Sequence, residues 1–185
     1  MDSLVDAIRY EGLQAEIAVL IANKKCDALE KAKGFDILAV LLESAGKERE
    51  GYDKELHKEL QKYNVDLILL VGYMRLLSKW FVGKWHHKIM NVHPSLLPEF
   101  AGEMDLGVHK AVLAAGKKES GATVHFVDET VDGGQIILQK KVTIGKNETL
   151  ESLKEKVQAV EQELLVEAVA LYAKGKIMEK STTVA

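Results

Sequence analysis

The chain has 185 residues, 47% of them apolar and 29% charged, with a formal charge of -3 and an isoelectric point near 6.1. That length suits one well-filled core, and the proportions are those of an ordinary globular protein. No run approaches the roughly 18 apolar residues of a membrane span, and no basic field is present to neutralise a nucleic-acid backbone, so membrane and nucleic acid are both excluded as partners.

At the amino end, MDSLVDAIRYEGLQAEI lacks the apolar core of a signal peptide and the Arg- and Ser-rich character of a transit peptide. Together with a single cysteine, Cys26, which rules out an intrachain disulfide, this makes the cytoplasm the expected location. Leu4, Ala7 and Ile8 recur at helical spacing, with Asp2 or Ser3 as the expected N-cap and Gly12 as the stop. Residues 15–23, AEIAVLIAN, form a continuous apolar run that reads as a strand buried on both faces. DALEKAKGF gives a short helix closed by Gly34, DILAVLL a second strand, and KEREGYDKELHKELQKYN a charged helix with Leu56 and Leu60 on one face. VDLILLVGY and HKIMNVHP are the third and fourth strands. Strands that alternate with helices in this way predict a parallel sheet covered on both sides.

A helix is expected near 106–116, ending at Gly116. GATVHFVDETVDGGQIILQKKVTI then reads as two strands joined through an Asp-Gly-Gly turn. A long amphipathic helix from Glu148 to Ala173 follows, with Leu150, Leu153, Val157, Val160, Glu161, Leu164 and Ala168 near one stripe. The tail GKIMEKSTTVA is expected to add a short edge strand. No internal repeat or linker interrupts the chain, so residues 1–185 are taken as one domain.

Both prolines of the chain, Pro94 and Pro98, fall just after Asn91 and His93, at the carboxyl end of the fourth strand. Ligands of open parallel sheets bind at that edge. Strand alternation points Asn91 and His93 to the same side, and the prolines stiffen the loop beyond them. An Asn and a His at a strand end serve equally well as hydrogen-bonded loop anchors. Asp132 precedes two glycines that allow close backbone approach, although such a triplet is also an ordinary hairpin turn. No Cys or His spacing reads as a metal-ligand set, and the adjacent His86 and His87 are expected to point in different directions.

NVHPSLLPEFAG, GATVHFVDETVDGGQIILQ and VGYMRLLS, in that setting, resemble the phosphoribosylglycinamide formyltransferases, a folate-dependent formyltransferase family. The resemblance runs from about Asp2 to Tyr172. It implies a three-layer, Rossmann-like α/β fold with a mostly parallel central sheet, an antiparallel C-terminal part and a long C-terminal helix. It also implies formyl transfer from 10-formyltetrahydrofolate, as co-substrate, to the amine of glycinamide ribonucleotide in purine biosynthesis, without a metal. Asn91, His93 and Asp132 match the catalytic positions. Met74, Arg75, Leu76, Leu77, Val127, Asp128 and Glu129 match the folate pocket, and Met74, Val92, Gln158 and Glu161 match the nucleotide side.

In the chemistry so implied, the Asn91 amide donates to an oxyanion and His93 relays a proton, with the Asp132 carboxylate favouring the charged imidazole. The family's first strand and its glycine-containing phosphate loop find no counterpart ahead of MDSLVDAI, so an N-terminally short domain with weakened phosphate binding is expected. Glu103 and Asp105 add acid near the site, His109 is read at the start of the following helix, and Gln162 stands where many relatives carry His. A formyltetrahydrofolate deformylase and a non-catalytic folate-binding paralogue are the alternatives. The expected assembly is a monomer or homodimer acting on small molecules.

Overall fold

The computed structural model describes residues 1–104 and 106–177. It begins with helix α1 (Asp2–Tyr10), which buries Leu4, Val5 and Ala7. Neither Asp2 nor Ser3 caps it: the N-cap is Met1, without a side-chain bond. Asp2 instead pairs with Lys31 at 2.7 Å, and the Ser3 hydroxyl donates to Gln162 Oε1 at 2.7 Å. Both side chains have distant partners, and these win over a local cap.

The strands expected in the first half are present but short: β1 (Leu20–Ala22), β2 (Ala39–Leu41) and β3 (Ile68–Leu70). Between them lie α2 (Asp27–Gly34) and α3 (Arg49–Leu60), the latter continued by a 3-10 turn at Gln61–Tyr63. Next come α4 (Lys79–Lys84), β4 (Ile89–His93), α5 (Leu106–Ala114), β5 (Glu119–Phe126), β6 (Ile136–Thr143) and α6 (Leu150–Ala173). Helix α4 is absent from the sequence reading. Its signal was Ser78, whose hydroxyl accepts from Phe81 N at 3.3 Å as a helix N-cap.

The central layer is divided where a single sheet was expected. β1 and β2 pair in parallel, Ile21 opposite Val40, while β3, β4, β5 and β6 form a separate four-stranded sheet in that order. β3 and β4 are parallel, and β4–β5 and β5–β6 are antiparallel. Among the described residues no backbone hydrogen bond joins β1 or β2 to β3. Only Ala22 of the nine residues in β1, β2 and β3 is buried, against an expectation of burial on both faces. Each of these strands has a partner on one edge only, and three residues of each apolar run enter a ladder.

Two apolar layers sandwich the four-stranded sheet. On one side α5 and α6 pack Val108, Val112, Leu153, Val157, Leu164 and Ala168 against Met90, Val124 and Phe126. On the other, α3 and α4 bring Tyr52, Leu56, Leu60, Phe81 and Trp85 onto Ile89, with Ile21, Ile68 and Leu70 joining them. Each fully buried side chain of this size removes apolar surface worth about 1.5–3 kcal/mol. The stripe expected on α6 is buried at Leu153, Val157, Val160, Leu164 and Ala168, extended by Leu165 and Val169. Of the tail, residues 178–185 lie outside the described residues, so the expected edge strand does too.

Candidate active site

β4 carries Asn91 and His93 to its carboxyl end, and β5 lies beside it with His125 opposite Asn91 and Thr123 opposite His93. Met90, on the alternate face, is fully buried in the α5–α6 core. Ile89, on the same face as Asn91 and His93, is buried in the α3–α4 core, so β4 passes from core at its start to site at its end.

The loop after His93 is held by more than its prolines. The Thr123 hydroxyl, fully buried, donates to Ser95 O at 2.6 Å and accepts from Leu97 N at 3.1 Å and Gln139 Nε2 at 2.8 Å. Gln139 Nε2 also donates to Leu97 O at 3.0 Å, and the Ser95 hydroxyl donates to Glu99 O at 2.6 Å. Side chains from β5 and β6 therefore clamp residues 95–97, a contribution not legible in the local sequence.

Asp132 arrives from the β5–β6 connection with a left-handed φ of 53°. Its Oδ2 lies 3.3 Å from His93 Nδ1 and accepts from Gly102 N at 2.9 Å, while its Oδ1 is 3.7 Å from His125 Nε2. The two glycines that follow are needed for close approach: a Cβ at Gly134 would stand 1.8 Å from the Phe126 carbonyl oxygen, and one at Gly133 2.1 Å from Thr130 Oγ1. Of the three residues singled out in the sequence, His93 and Asp132 are neighbours, Asn91 is linked to Asp132 through His125, and all three line one cleft.

Asp132 favours the charged form of His93 as expected, but burial opposes it. Burial pushes the imidazole below the ordinary histidine value, and this outweighs the opposing pull of Asp132 and of the Phe100 carbonyl oxygen, 3.2 Å from Nε2. Both of its nitrogens face acceptors, Asp132 Oδ2 beside Nδ1 and the Phe100 carbonyl oxygen beside Nε2, so a proton on either nitrogen finds a partner.

His125 is the residue that sequence reasoning missed. It is 2% exposed, with Nδ1 2.9 Å from Phe126 O and Nε2 3.2 Å from Asn91 Nδ2. A signal existed in GATVHF, where Thr123 and His125 alternate with the apolar Val124 and Phe126 and so share the face that β4 presents with Asn91 and His93.

These groups open into a cleft of about 470 Å³. Met74, Arg75, Leu76 and Leu77, from the segment after β3, line one wall, and Val127, Asp128 and Glu129, after β5, line another. The first wall is anchored by buried Asp53, whose Oδ2 accepts from Ser78 N at 2.6 Å, and the Arg75 guanidinium lies 5.0 Å from the centre of the Tyr52 ring. In the second, Asp128 Oδ1 accepts from Thr130 N at 2.7 Å, and Glu129 pairs with Lys79 at 3.0 Å. Met74, Leu76, Val71 and Val131 are exposed apolar side chains in the cleft lining.

Val92, Gln158 and Glu161 also line the cleft, with Lys154 beside them. Burial raises the Glu161 carboxyl to about 7. His109, on α5 as expected, is buried and lines the cleft with Glu103, whereas Asp105 lies outside the described residues. His86 and His87, expected to diverge, meet edge to face with centroids 3.9 Å apart, because His87 adopts a left-handed φ of 54°; neither lines the cleft. Among the described residues no group of three or more His, Cys, Asp or Glu is placed to hold a metal ion, and no helix is long and apolar enough to cross a membrane.

A sequence model of one protein family, formyl transferase, matches residues 1–169. The chain belongs to this formyl transferase family. Among individual formyl transferases, it is 34% identical over 180 residues to phosphoribosylglycinamide formyltransferase of Escherichia coli strain K12, covering 96% of this chain and 83% of that protein. It is 40% identical over 181 residues to the trifunctional purine biosynthetic protein adenosine-3 of Chironomus tentans, covering 96% of this chain but 13% of that protein. Across the animal trifunctional relatives the chain spans between 13% and 18% of their length. Among solved formyl transferases, glycinamide ribonucleotide transformylase 1 from Symbiobacterium toebii superimposes with a TM-score of 0.90 at 35% identity, covering 96% of this chain and 84% of that one.

Proposed function

We propose that this formyl transferase passes a formyl group from 10-formyltetrahydrofolate to the primary amine of glycinamide ribonucleotide, a step of purine biosynthesis, with Asn91, His93 and Asp132 as its catalytic residues. The observation that carries the reading is the convergence of those three side chains at the end of β4, inside a cleft with apolar rims. The Escherichia coli relative, matched over most of its length, bears the name of this reaction.

The residues suit the chemistry. The amine nitrogen bonds to the formyl carbon, and the carbonyl electron pair moves onto oxygen. An N–H of Asn91 then meets a developing negative charge without itself titrating, a role worth about 3–4 kcal/mol for a preorganised donor. His93, neutral at rest, takes the proton released by the attacking nitrogen. Its imidazolium sits between the Asp132 carboxylate and the Phe100 carbonyl, and the proton passes on to N10 of tetrahydrofolate as that nitrogen leaves. The products are the N-formyl nucleotide and tetrahydrofolate, with atoms and charge balanced.

Met74, Arg75, Leu76, Leu77, Val127, Asp128 and Glu129 hold the folate in this reading, and Met74, Val92, Gln158 and Glu161 the nucleotide, with Glu161 accepting from ribose hydroxyls. The chain acts in the cytoplasm, as a monomer or homodimer. The test is formyl transfer monitored with both substrates present. Turnover that requires the nucleotide supports the reading, and formate release without any amine turns it toward a deformylase. Folate binding without either reaction turns it toward a non-catalytic binder.

A further inference from the structure

His125 is buried beside the reacting groups, yet the proton relay just described makes no use of it. Its Nδ1 faces the Phe126 carbonyl oxygen at 2.9 Å, and a carbonyl oxygen only accepts, so Nδ1 carries the ring hydrogen. In the neutral ring Nε2 is then a bare acceptor. The Asn91 amide, 3.2 Å from Nε2, must present its NH2 there, because the flipped rotamer would set its oxygen against the lone pair. The Asp132 carboxylate does not compete for Nε2, since its nearer oxygen is 3.7 Å away and cannot donate. One Asn91 hydrogen is thereby committed to His125, and the second remains for a ligand in the cleft that both residues line.

We infer that His125 is a positioning residue: its Nδ1–H tautomer, set by the Phe126 carbonyl, selects the amide rotamer of Asn91 and so aims the second N–H at the oxygen that becomes negative during transfer. The inference rests on the formyl-transfer reading for its consequence, though not for its geometry. The backbone supplies the fixed point. Residues 91 and 125 face each other in the β4–β5 register, so the amide and the ring are held by a ladder rather than a loop. A side-chain donor whose rotamer is chosen before substrate arrives needs no reorganisation during the reaction.

Three measurements test this. Replacing His125→Leu removes the acceptor and is expected to lower kcat at least about tenfold while both KM values stay within about threefold, as for a donor that acts mainly in the transition state. His125→Gln, whose side-chain oxygen can accept from Asn91, recovers most of that loss. In an Asn91→Ala background the His125→Leu change costs nothing further, because its effect runs through the amide. Equal losses with and without Asn91, or failure of the folded Gln variant to recover activity, would overturn the assignment. Long-range 15N–1H correlation spectra of the unmutated protein give a readout that needs no turnover. A protonated Nδ1 and a bare Nε2 are expected at His125, and an Nε2–H tautomer sinks the idea. If the unmutated protein fails to transfer formyl groups, the functional reading falls, while the spectra still decide whether His125 sets the amide.

Discussion

β4 and β5, at the centre of the four-stranded sheet, and the β1–β2 pair end in different physical states, although β1 and β2 come from the more apolar stretches of sequence. β4 is bonded along both edges, and seven of the eight residues of β5 are buried. β1 and β2 pair only with each other and are mostly half-exposed. The difference teaches that apolar content gives a segment the capacity for a strand, and that neighbours on both edges turn this capacity into rigidity. The side chains assigned here to catalysis stand on or against the doubly bonded strands, where a ladder fixes their direction.

The largest way to sharpen this contrast is to strike the site on β4. His93→Asn is expected to lower kcat by about 10²–10⁴ with the circular dichroism spectrum unchanged, since it removes a proton acceptor and leaves the ladder intact. A loss below about tenfold would detach the reaction from β4. Thr123→Val on β5 comes next. It strips the hub that holds residues 95–97 and leaves Leu97 N and Gln139 Nε2 short of a partner, so urea denaturation should show about 2–4 kcal/mol less stability. An effect under about 0.5 kcal/mol would mean that the prolines alone fix that loop.

A smaller effect is expected at Glu161, and its sign depends on pH. The folded-state value is raised to about 7, so the ionised carboxylate is disfavoured in the fold. Stability linked to the protonated form is fully present below the ordinary glutamate range and is lost as pH rises through 7. Glu161→Gln should therefore stabilise the protein by about 1–3 kcal/mol at pH 8 and make little difference near pH 4.5, by chemical denaturation at both values. Stabilisation of equal size at the two pH values would point to packing rather than ionisation. The smallest effect is assigned to β1: Ile21→Ala should cost about 1 kcal/mol and leave kcat within twofold. Backbone amides of β1 and β2 should also exchange with solvent faster than those of β4 and β5, and the reverse order would erase the comparison.

Strand alternation and proline placement are local signals, and they marked the end of β4 as a place where side chains gather, while the roles proposed for those side chains came only from the family resemblance. Asn91 and His93 are two apart on a short apolar run, and Asp132 is marked by its glycines. The long helix α6 was equally plain, since its stripe repeats for more than five turns. What stayed hidden depended on partners far away in the chain. His125 sits in a run that looks like core, and its meaning comes only from lying opposite Asn91. Asp132 pulls His93 toward its charged form as expected, but burial, which neighbouring residues do not reveal, pushes the other way and outweighs it. The divided sheet was hidden for the same reason: AEIAVLIAN and VDLILLVGY contain no record of which strand bonds to which edge.

Gly134 carries the last consequence. The space where its side chain would go is occupied by the Phe126 carbonyl oxygen, whose residue ends β5. In a library holding every substitution at every position, and selected for turnover, position 134 should be depleted about as strongly as 91, 93 and 132. No atom of this glycine needs to meet a substrate for that to happen. A methyl group there would push apart the connection that delivers Asp132, so the tolerance of one silent position would measure how little slack the site has.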